Sequence, residues 1–411
     1  MKNWKVWKEE KNYQPLFWSG IWNGIGNRFH QVAMLTLLYV LTGSSFAIGI
    51  LFMIRSMLPF LVVAPIGGIL ADHFSKKHIL IAVDCLRVPF AIVPAFIHDV
   101  SHLWLLYTCA LILALGEAIY APVRMAAVPG IVKQESLLYV NAIEQVLVGF
   151  VLVAGSSTGG VISYYFHHEV LFLLDGLTFI LSVLFLKNIK QHTVRFRKST
   201  SKHALSPKRI PVAKWITGSA ILLVFLFIEI TMPLANGIDN VLISVYALDI
   251  FKMGDLGVGL MYSMLGLGFV GSSFFSHLFR KKLVVTLCLF IVLEGAGHML
   301  LSTSRAFSAA LVIACGITLT GGISNICQHT LIMKIVPQAN QGTFFGLMQM
   351  FSNTMMGIMM GAAGLLLEFF HPRSLSLLVG IFYVLLACIY GYMFTRIDWR
   401  KEKRQLLRNS T

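Results

Sequence analysis

Apolar runs of roughly 20 residues, the length that crosses a bilayer as a helix, recur along almost the whole chain, and charge is left mostly to the short segments between them. Twelve such runs can be read, at 15–41, 46–71, 78–97, 103–126, 137–165, 170–186, 215–248, 257–279, 283–302, 306–331, 343–369 and 374–395. Of the 411 residues 57% are hydrophobic and 12% charged, about half the charge of a soluble domain. No polar stretch is long enough to fold by itself, which excludes a soluble fold and a membrane-anchored enzyme with a large soluble domain. A lipid-exposed backbone must satisfy its own hydrogen bonds, as a helix or a closed barrel. Barrel strands are short and alternate, and these runs do not. The expected class is an all-α membrane protein with twelve transmembrane helices.

Lysine and arginine indicate how those helices thread. With the N-terminus inside, alternate segments carry 27 of the 33 Lys and Arg, counting Arg124 and Lys334 among the loop residues. The opposite loops carry only Lys252, Arg305 and Arg373, and Arg28, Arg55 and Arg87 fall within runs. Cytoplasmic loops collect basic residues, so a multi-pass protein of the cell membrane with both termini cytoplasmic is expected. The net charge of +15 then belongs to loops that meet anionic lipid heads, and not to a nucleic-acid surface. The longest basic segment, 188–214, reads as a cytoplasmic linker between six-helix halves at 1–187 and 215–397, and 398–411 as a basic cytoplasmic tail. Residues 1–13 are polar and basic and the first apolar run is too long for a signal peptide. Cys85, Cys109, Cys288, Cys315, Cys327 and Cys388 lie scattered in the runs without metal or disulfide spacing, so no metal or other cofactor is expected.

The halves resemble each other. Asn23-Gly-Ile-Gly-Asn27 recurs as Asn236-Gly-Ile-Asp-Asn240, 213 residues later. Phe74-Ser-Lys-Lys77 recurs as Phe279-Arg-Lys-Lys282 after 205 residues, and Pro129 as Pro337 after 208. Parallel repeats with substrate bound between them near the midplane are a recurring transporter plan.

The loop after the second run, Gly68-Ile-Leu-Ala-Asp72-His-Phe-Ser-Lys76-Lys77, resembles the G-x-L-A-D-R-x-G-R-K signature of the major facilitator superfamily, with His73 and Ser75 as departures. The resemblance covers essentially the whole chain and implies the major facilitator fold, two pseudo-symmetric six-helix bundles. It also implies that Gly68, Asp72, Lys76 and Lys77 form a conformational latch, with Asp72 on basic groups or a helix N-terminus. Tyr120-Ala-Pro122 with Pro129 and Asn141, Phe172-Leu-Leu-Asp175-Gly-Leu-Thr-Phe179, and Val336-Pro337 before Gly342-Thr-Phe-Phe-Gly346 resemble the macrolide-efflux and enterobactin-exporter subgroup. Gly155-Ser-Ser-Thr-Gly159-Gly160 is similar to the antiporter motif G-P-x-x-G-G, with Ser156 for Pro; Gly155, Gly159 and Gly160 serve equally well as plain helix packing. Gly357, Gly361 and Gly364 make a similar stripe. The arginine that many proton-coupled relatives carry three residues before Gly116 is Leu113 here.

Ionisable groups inside a bilayer are costly and usually face a cavity or a partner. Asn23, Asn27 and Arg28 in the first run and Glu229, Asn236, Asp239 and Asn240 in the seventh are expected to line the substrate and ion pathway; the alternative for their polar faces is helix–helix hydrogen bonding. Arg28 and Asp239 occupy near-equivalent places and could pair across the halves. Asp239, then Glu229, is the expected coupling carboxylate, because removal from water favours the protonated acid. Glu117, Glu144 and Gln145 come next. Asp84 and Arg87, three apart on one helix face, read as a neutralised structural pair. Asp175 is open between hydrogen bonding and a cavity role, and Glu294 reads as local structure. His30, His298 and His329 are isolated in sequence and read as packing elements.

The expected function is secondary active transport by a monomer. It would export an amphipathic small molecule (a drug, siderophore or lipid-like compound) against protons or another coupling ion, as an antiporter serving efflux and drug resistance. An importer of a small polar nutrient is the alternative. A non-transporting membrane enzyme or receptor is remote, and enzyme activity is not expected. No phosphate-binding loop is present, so a gradient must supply the energy.

Overall fold

The computed structural model describes residues 7–42, 51, 55, 58–189, 216–275, 282–399 and 402. Twelve long α-helices lie among them: α1 Tyr13–Thr42, α2 Leu58–His73, α3 Lys76–Ile92, α4 Leu103–Ile131, α5 Leu137–Phe150, α6 Ser156–Lys187, α7 Ala220–Val245, α8 Gly254–Phe275, α9 Leu283–Thr303, α10 Phe307–Ile335, α11 Gln341–Phe369 and α12 Pro372–Thr395. Among the described residues ten stretches are long and apolar enough to cross a membrane, and Pro59–His73 is a shorter apolar helix. α1 has the length, at 30 residues, and is the helix interrupted by Asn23, Asn27 and Arg28.

Large apolar side chains point outward in stripes. Leu173, Leu177, Ile180 and Leu184 on α6, Val285, Leu289 and Leu293 on α9, and Leu378, Ile381, Leu385 and Ile389 on α12 are all exposed. Steps of three or four residues keep each stripe on one helix face. Such stripes suit contact with lipid, while the polar groups described below turn inward.

Helix adjacency is the same in the two halves. In the first, α6 packs on α1 and α3, and α4 on α2 and α3. In the second, α12 packs on α7 and α9, and α10 on α8 and α9. Between halves, α2 packs on α11 and α5 on α8, pairs that exchange when the halves are swapped. One buried core joins the halves through Tyr13, Val123, Val140, Leu331 and Phe344. At the other end of the first half Phe29, Met34, Leu38, Leu106 and Phe172 form a separate cluster.

Several boundaries differ from the sequence reading. α4 continues to Ile131 with Pro122 and Pro129 inside it, and α10 continues to Ile335, so Arg124 and Lys334 are helical and not loop residues. The fifth and sixth runs were expected as separate helices. Helical hydrogen bonding is instead unbroken over Ser156–Lys187. Gly159 abuts Phe29 and Val32, and Phe172 abuts His30. A straight helix would place Gly159 and Phe172 about 20 Å apart, and the apolar stretches Gln134–Ser163 and His168–Lys187 remain two distinct spans. A π-helical turn, Val151–Gly155, precedes that helix, supplying a local irregularity where the similar motif has Pro. Most of the 188–214 linker and of the 398–411 tail lies outside the described residues.

Candidate functional site

The clearest junction between the halves lies at the end where α2 meets α3. The Asp72 carboxylate accepts hydrogen bonds from Gly342 N (2.7 Å), Thr343 N (2.7 Å) and Thr343 Oγ1 (2.6 Å). These donors open α11, and a carboxylate there satisfies orphan N–H groups and meets the positive end of the helix dipole. Gly68 permits the approach, since a Cβ at this position would lie 2.9 Å from the Gly342 carbonyl carbon and 3.0 Å from Thr343 Cα. Lys76 is buried within electrostatic reach of Asp72. Lys77 Nζ donates to the carbonyls of Lys187 and Ile189, both at 2.6 Å, and so closes the C-terminal end of α6 within its own half. Asn141 Nδ2 adds a crossing bond to Thr330 Oγ1 at 3.0 Å.

Inside the first half, residues of four helices join in one polar network. Asn23 Nδ2 donates to Asp84 Oδ1 (2.9 Å), and Asn27 Nδ2 to Asn23 Oδ1 (3.0 Å) and Glu117 Oε2 (2.8 Å). Arg87 Nη2 lies 2.6 Å from Asn27 Oδ1 and 3.1 Å from Glu117 Oε2. Ser182 Oγ donates to Asp84 Oδ2 at 2.6 Å, and the Arg87 guanidinium sits 4.2 Å over the Phe179 ring. Asp84 and Arg87 are therefore not a separate pair. Their own separation is 3.8 Å, and both are tied into the asparagine face of α1. Glu117 is the exposed member, its side chain one-third accessible.

Glu144 is held differently. Arg124 grips it with two bonds, at 2.7 and 3.0 Å, and Tyr13 Oη donates at 2.5 Å. This is a complete ion pair, with little hydrogen-bonding capacity left for a ligand. Gln145 is buried beside it in sequence.

The second half carries its own cluster. The Tyr383 hydroxyl lies 2.6 Å from Asn236 Oδ1 and 3.0 Å from Asp239 Oδ2, one O–H facing two acceptors. His298 Nε2 is 3.1 Å from the same Asp239 oxygen, and its ring stacks on Tyr383 with centroids 5.3 Å apart. Asp239 Oδ1 has no hydrogen-bond partner. Glu294 is buried against Gly321 and within electrostatic reach of Asp239. Asn240 Nδ2 donates to the Asn236 carbonyl at 2.8 Å. Glu229 stands apart, accepting from Gln328 Nε2 at 2.7 Å.

Two further sequence readings change here. Arg28 does not pair with Asp239; its Nη1 donates to Gln31 Oε1 at 3.0 Å. His30 and His298 are not isolated, since each meets a buried carboxylate, His30 Nδ1 standing 3.0 Å from Asp175 Oδ2. Tyr383, Gln328 and Ser182 carried no signal in their apolar runs. Gly155 and Gly159 pack on Arg28 and Phe29 of α1, whereas among the described residues nothing lies within 4 Å of a Cβ at Gly361 or Gly364. Gly160 lies in α6 with Gly159. Among the described residues no three His, Cys, Asp or Glu side chains converge as a metal set.

Comparison with known proteins agrees with this architecture. The chain resembles a bacterial homologue of the iron transporter ferroportin solved in an outward-facing state, with a TM-score of 0.70 and 14% identity over 93% of this chain and 99% of that one. The human organic anion transporter MFSD10 (TETRAN) superposes with a TM-score of 0.72 at 12% identity, over 93% and 99% of the two chains. The fucose:proton symporter FucP of E. coli superposes with 0.66 at 12% identity, over 93% and 98%. In sequence, an uncharacterized MFS-type transporter of Bacillus subtilis (strain 168), YfiS, is 23% identical over 181 residues, 44% of this chain and 42% of that protein, so the match spans less than half of the relative's length. The family profile of the Major Facilitator Superfamily matches residues 16–362, most of the chain, and with the twelve-helix architecture this makes the protein a multi-pass membrane transporter belonging to that superfamily.

Proposed function

We propose that this transporter is a proton-coupled exporter of an amphipathic small molecule, working by alternating access between its two halves, with both termini in the cytoplasm of a cell-membrane protein. The observation that carries the alternating-access reading is the Asp72 clasp on the N-terminus of α11. It closes one end through a few breakable hydrogen bonds, while the far end of the first half keeps a core of its own. The 25-to-3 distribution of basic residues in the alternate segments, with the helical Arg124 and Lys334 set aside, supports assigning the closed end to the cytoplasm.

Asp239 is the coupling residue in this reading. It faces Tyr383 and His298 with one oxygen and leaves the other without a hydrogen bond. A proton on Asp239 would supply the second donor that the Tyr383–Asn236–Asp239 contacts lack. Glu229, with Gln328, is the second candidate. Asn23, Asn27, Arg28 and Glu117 form the facing wall, and Asn236 and Asn240 complete the pathway on α7. Glu144 and Gln145 move to a supporting role, because Glu144 is committed to Arg124. Export and antiport, and with them efflux and drug resistance, rest on the similarity of Gly155–Gly160 to the antiporter motif.

The test is flux of a fluorescent amphipathic dye in proteoliposomes with an imposed proton gradient. Asp239→Asn is expected to abolish gradient-driven flux while substrate-exchange flux persists. Undiminished gradient-driven flux in that variant refutes the coupling role. Accumulation of a small sugar together with protons would favour import.

A further inference from the structure

The two halves neutralise their buried carboxylates differently. In the first, Asp84 and Glu117 meet Arg87, and Glu144 meets Arg124. In the second, the six helices carry Lys or Arg only at Lys334 and Arg373, in the last turn of α10 and the first turn of α12. The ionic partner of the buried Asp239 is instead an imidazole, with His298 Nε2 3.1 Å from Asp239 Oδ2. Glu294 lies one turn from His298 on the same face of α9; it is buried and its Oε2 has no hydrogen bond. Glycines bring this helix inward. A Cβ at Gly295 would lie 2.6 Å from the Gly380 carbonyl oxygen, and one at Gly321 2.7 Å from Glu294 Oε1.

A carboxylate out of water is costly unless it is paired. A proton added to Asp239 and His298 gives carboxylate with imidazolium, or carboxylic acid with neutral imidazole. Both are neutral overall, and passing from one to the other breaks one N–H and makes one O–H. Without that proton the pair is negative and Asp239 needs a donor. The Tyr383 hydroxyl has one O–H and stands 3.0 Å from Asp239 Oδ2 and 2.6 Å from Asn236 Oδ1, so it serves one acceptor at a time. Its ring is stacked on His298, with planes 4° apart, and the hydroxyl hydrogen can turn while the ring stays in place. α9 packs on α10 and α12, and α7 on α8, α11 and α12. Their remaining charged groups sit at helix ends: Asp255 opens α8, Glu368 closes α11, and His329 with Lys334 belongs to the C-terminal end of α10. On α7 itself Glu229 lies about 15 Å from Asp239 along the axis.

We propose that Asp239 and His298 carry the coupling proton as a pair, and that the Tyr383 hydroxyl passes its presence or absence to Asn236. With the pair loaded, Tyr383 donates to Asn236. With the pair empty, it turns to the Asp239 carboxylate, and the half-buried Asn236 is freed to accept from an N–H or O–H of the substrate. Proton and substrate then compete through one hydroxyl, as the exchange of one for the other requires. This rests on the reading of Asp239 as the coupling residue.

The experiment has two readouts. The first is a potentiometric titration of the purified full chain, in which wild type minus D239N/H298Q should show one proton lost across the range where imidazole titrates. Y383F keeps the stacked ring and removes the O–H. It should move the midpoint of that proton up by about one pH unit, a tenfold change in proton affinity, because the empty carboxylate loses a donor. S376A, which removes a bond from α12 to the His298 carbonyl without touching the pair, should leave the midpoint in place. If the double variant does not fold, D239N is read in its stead. The second readout is ethidium exchange in proteoliposomes without a gradient. Exchange should fall as pH falls in wild type, and in Y383F it should persist and lose that pH dependence. No proton difference, a midpoint that Y383F leaves unmoved, or one that S376A moves equally would overturn the proposal. Wild-type gradient-driven flux in Y383F overturns the link to Asn236 and leaves the exporter reading intact. A midpoint moved by Y383F, in a protein that shows no gradient-driven flux of any probe, supports the shared proton and counts against coupled export.

Discussion

Glu144 and Asp239 are both carboxylates within apolar helices, and their surroundings give them different work. Glu144 receives two bonds from Arg124 and one from Tyr13, so its charge is matched. Asp239 meets a phenol and an imidazole and keeps one oxygen unbonded, with no cation gripping it as Arg124 grips Glu144. Breaking a buried ion pair from one side leaves an uncompensated charge, at a cost of about 3–5 kcal/mol, whereas replacing both partners with apolar groups is often near neutral. The side chains of this pair keep 13% and 16% of their accessibility, so a value near ~3 kcal/mol is expected for Arg124→Met. Unfolding in detergent should show that loss, and Arg124→Met with Glu144→Met should regain much of it. A double variant no more stable than the single would show that the pair is not what holds α4 to α5.

At the scale of elements, the two halves meet where backbone approaches backbone. Gly68 faces Gly342, and Gly346 faces Ala64 and Gly68, so α2 and α11 lie close enough for Asp72 to reach the α11 N-terminus. Loss of about 1.4 kcal/mol from such a clasp shifts an open-to-closed ratio tenfold, and three hydrogen bonds converge on Asp72. Asp72→Ala and Gly68→Leu should each lengthen the distance between spin labels at Lys133→Cys and Gln338→Cys. An unchanged distance distribution in both variants would mean that closure at this end is maintained elsewhere. The π turn at Val151–Gly155 acts at the same scale. It places Gly155 against Arg28 and Gly159 against Phe29, which sets how α1 packs on the start of α6.

For the whole molecule, sidedness and duplication are separate properties. The repeated helix adjacency follows from two similar halves, whichever way they face. Sidedness follows from basic residues retained on one side during insertion. Green fluorescent protein inserted at Ser199 should fluoresce, and alkaline phosphatase there should be inactive, with the opposite pattern at Lys252. Active phosphatase at Ser199 would reverse the orientation and with it the assigned direction of transport.

The sequence alone was enough to read twelve helices and the repeated halves, and to single out Asp72 in the charged loop between apolar runs. Lipid permits few backbone solutions, and a charged loop between apolar runs is a local signal. The polar residues on α1 and α7 were legible as polar groups in apolar surroundings, but their partners were not. Asn27 meets Glu117 and Arg87 across three helices, and Asp239 meets His298 and Tyr383 likewise. His298 and Tyr383 stand alone in their own helices, so spacing along the chain could not reveal that they share a carboxylate. Which carboxylate is gripped by a cation and which keeps an unbonded oxygen was also decided only in three dimensions. Charge compensation depends on distances of a few ångströms between helices far apart in sequence, and hydropathy constrains a residue's depth in the bilayer without specifying its neighbours.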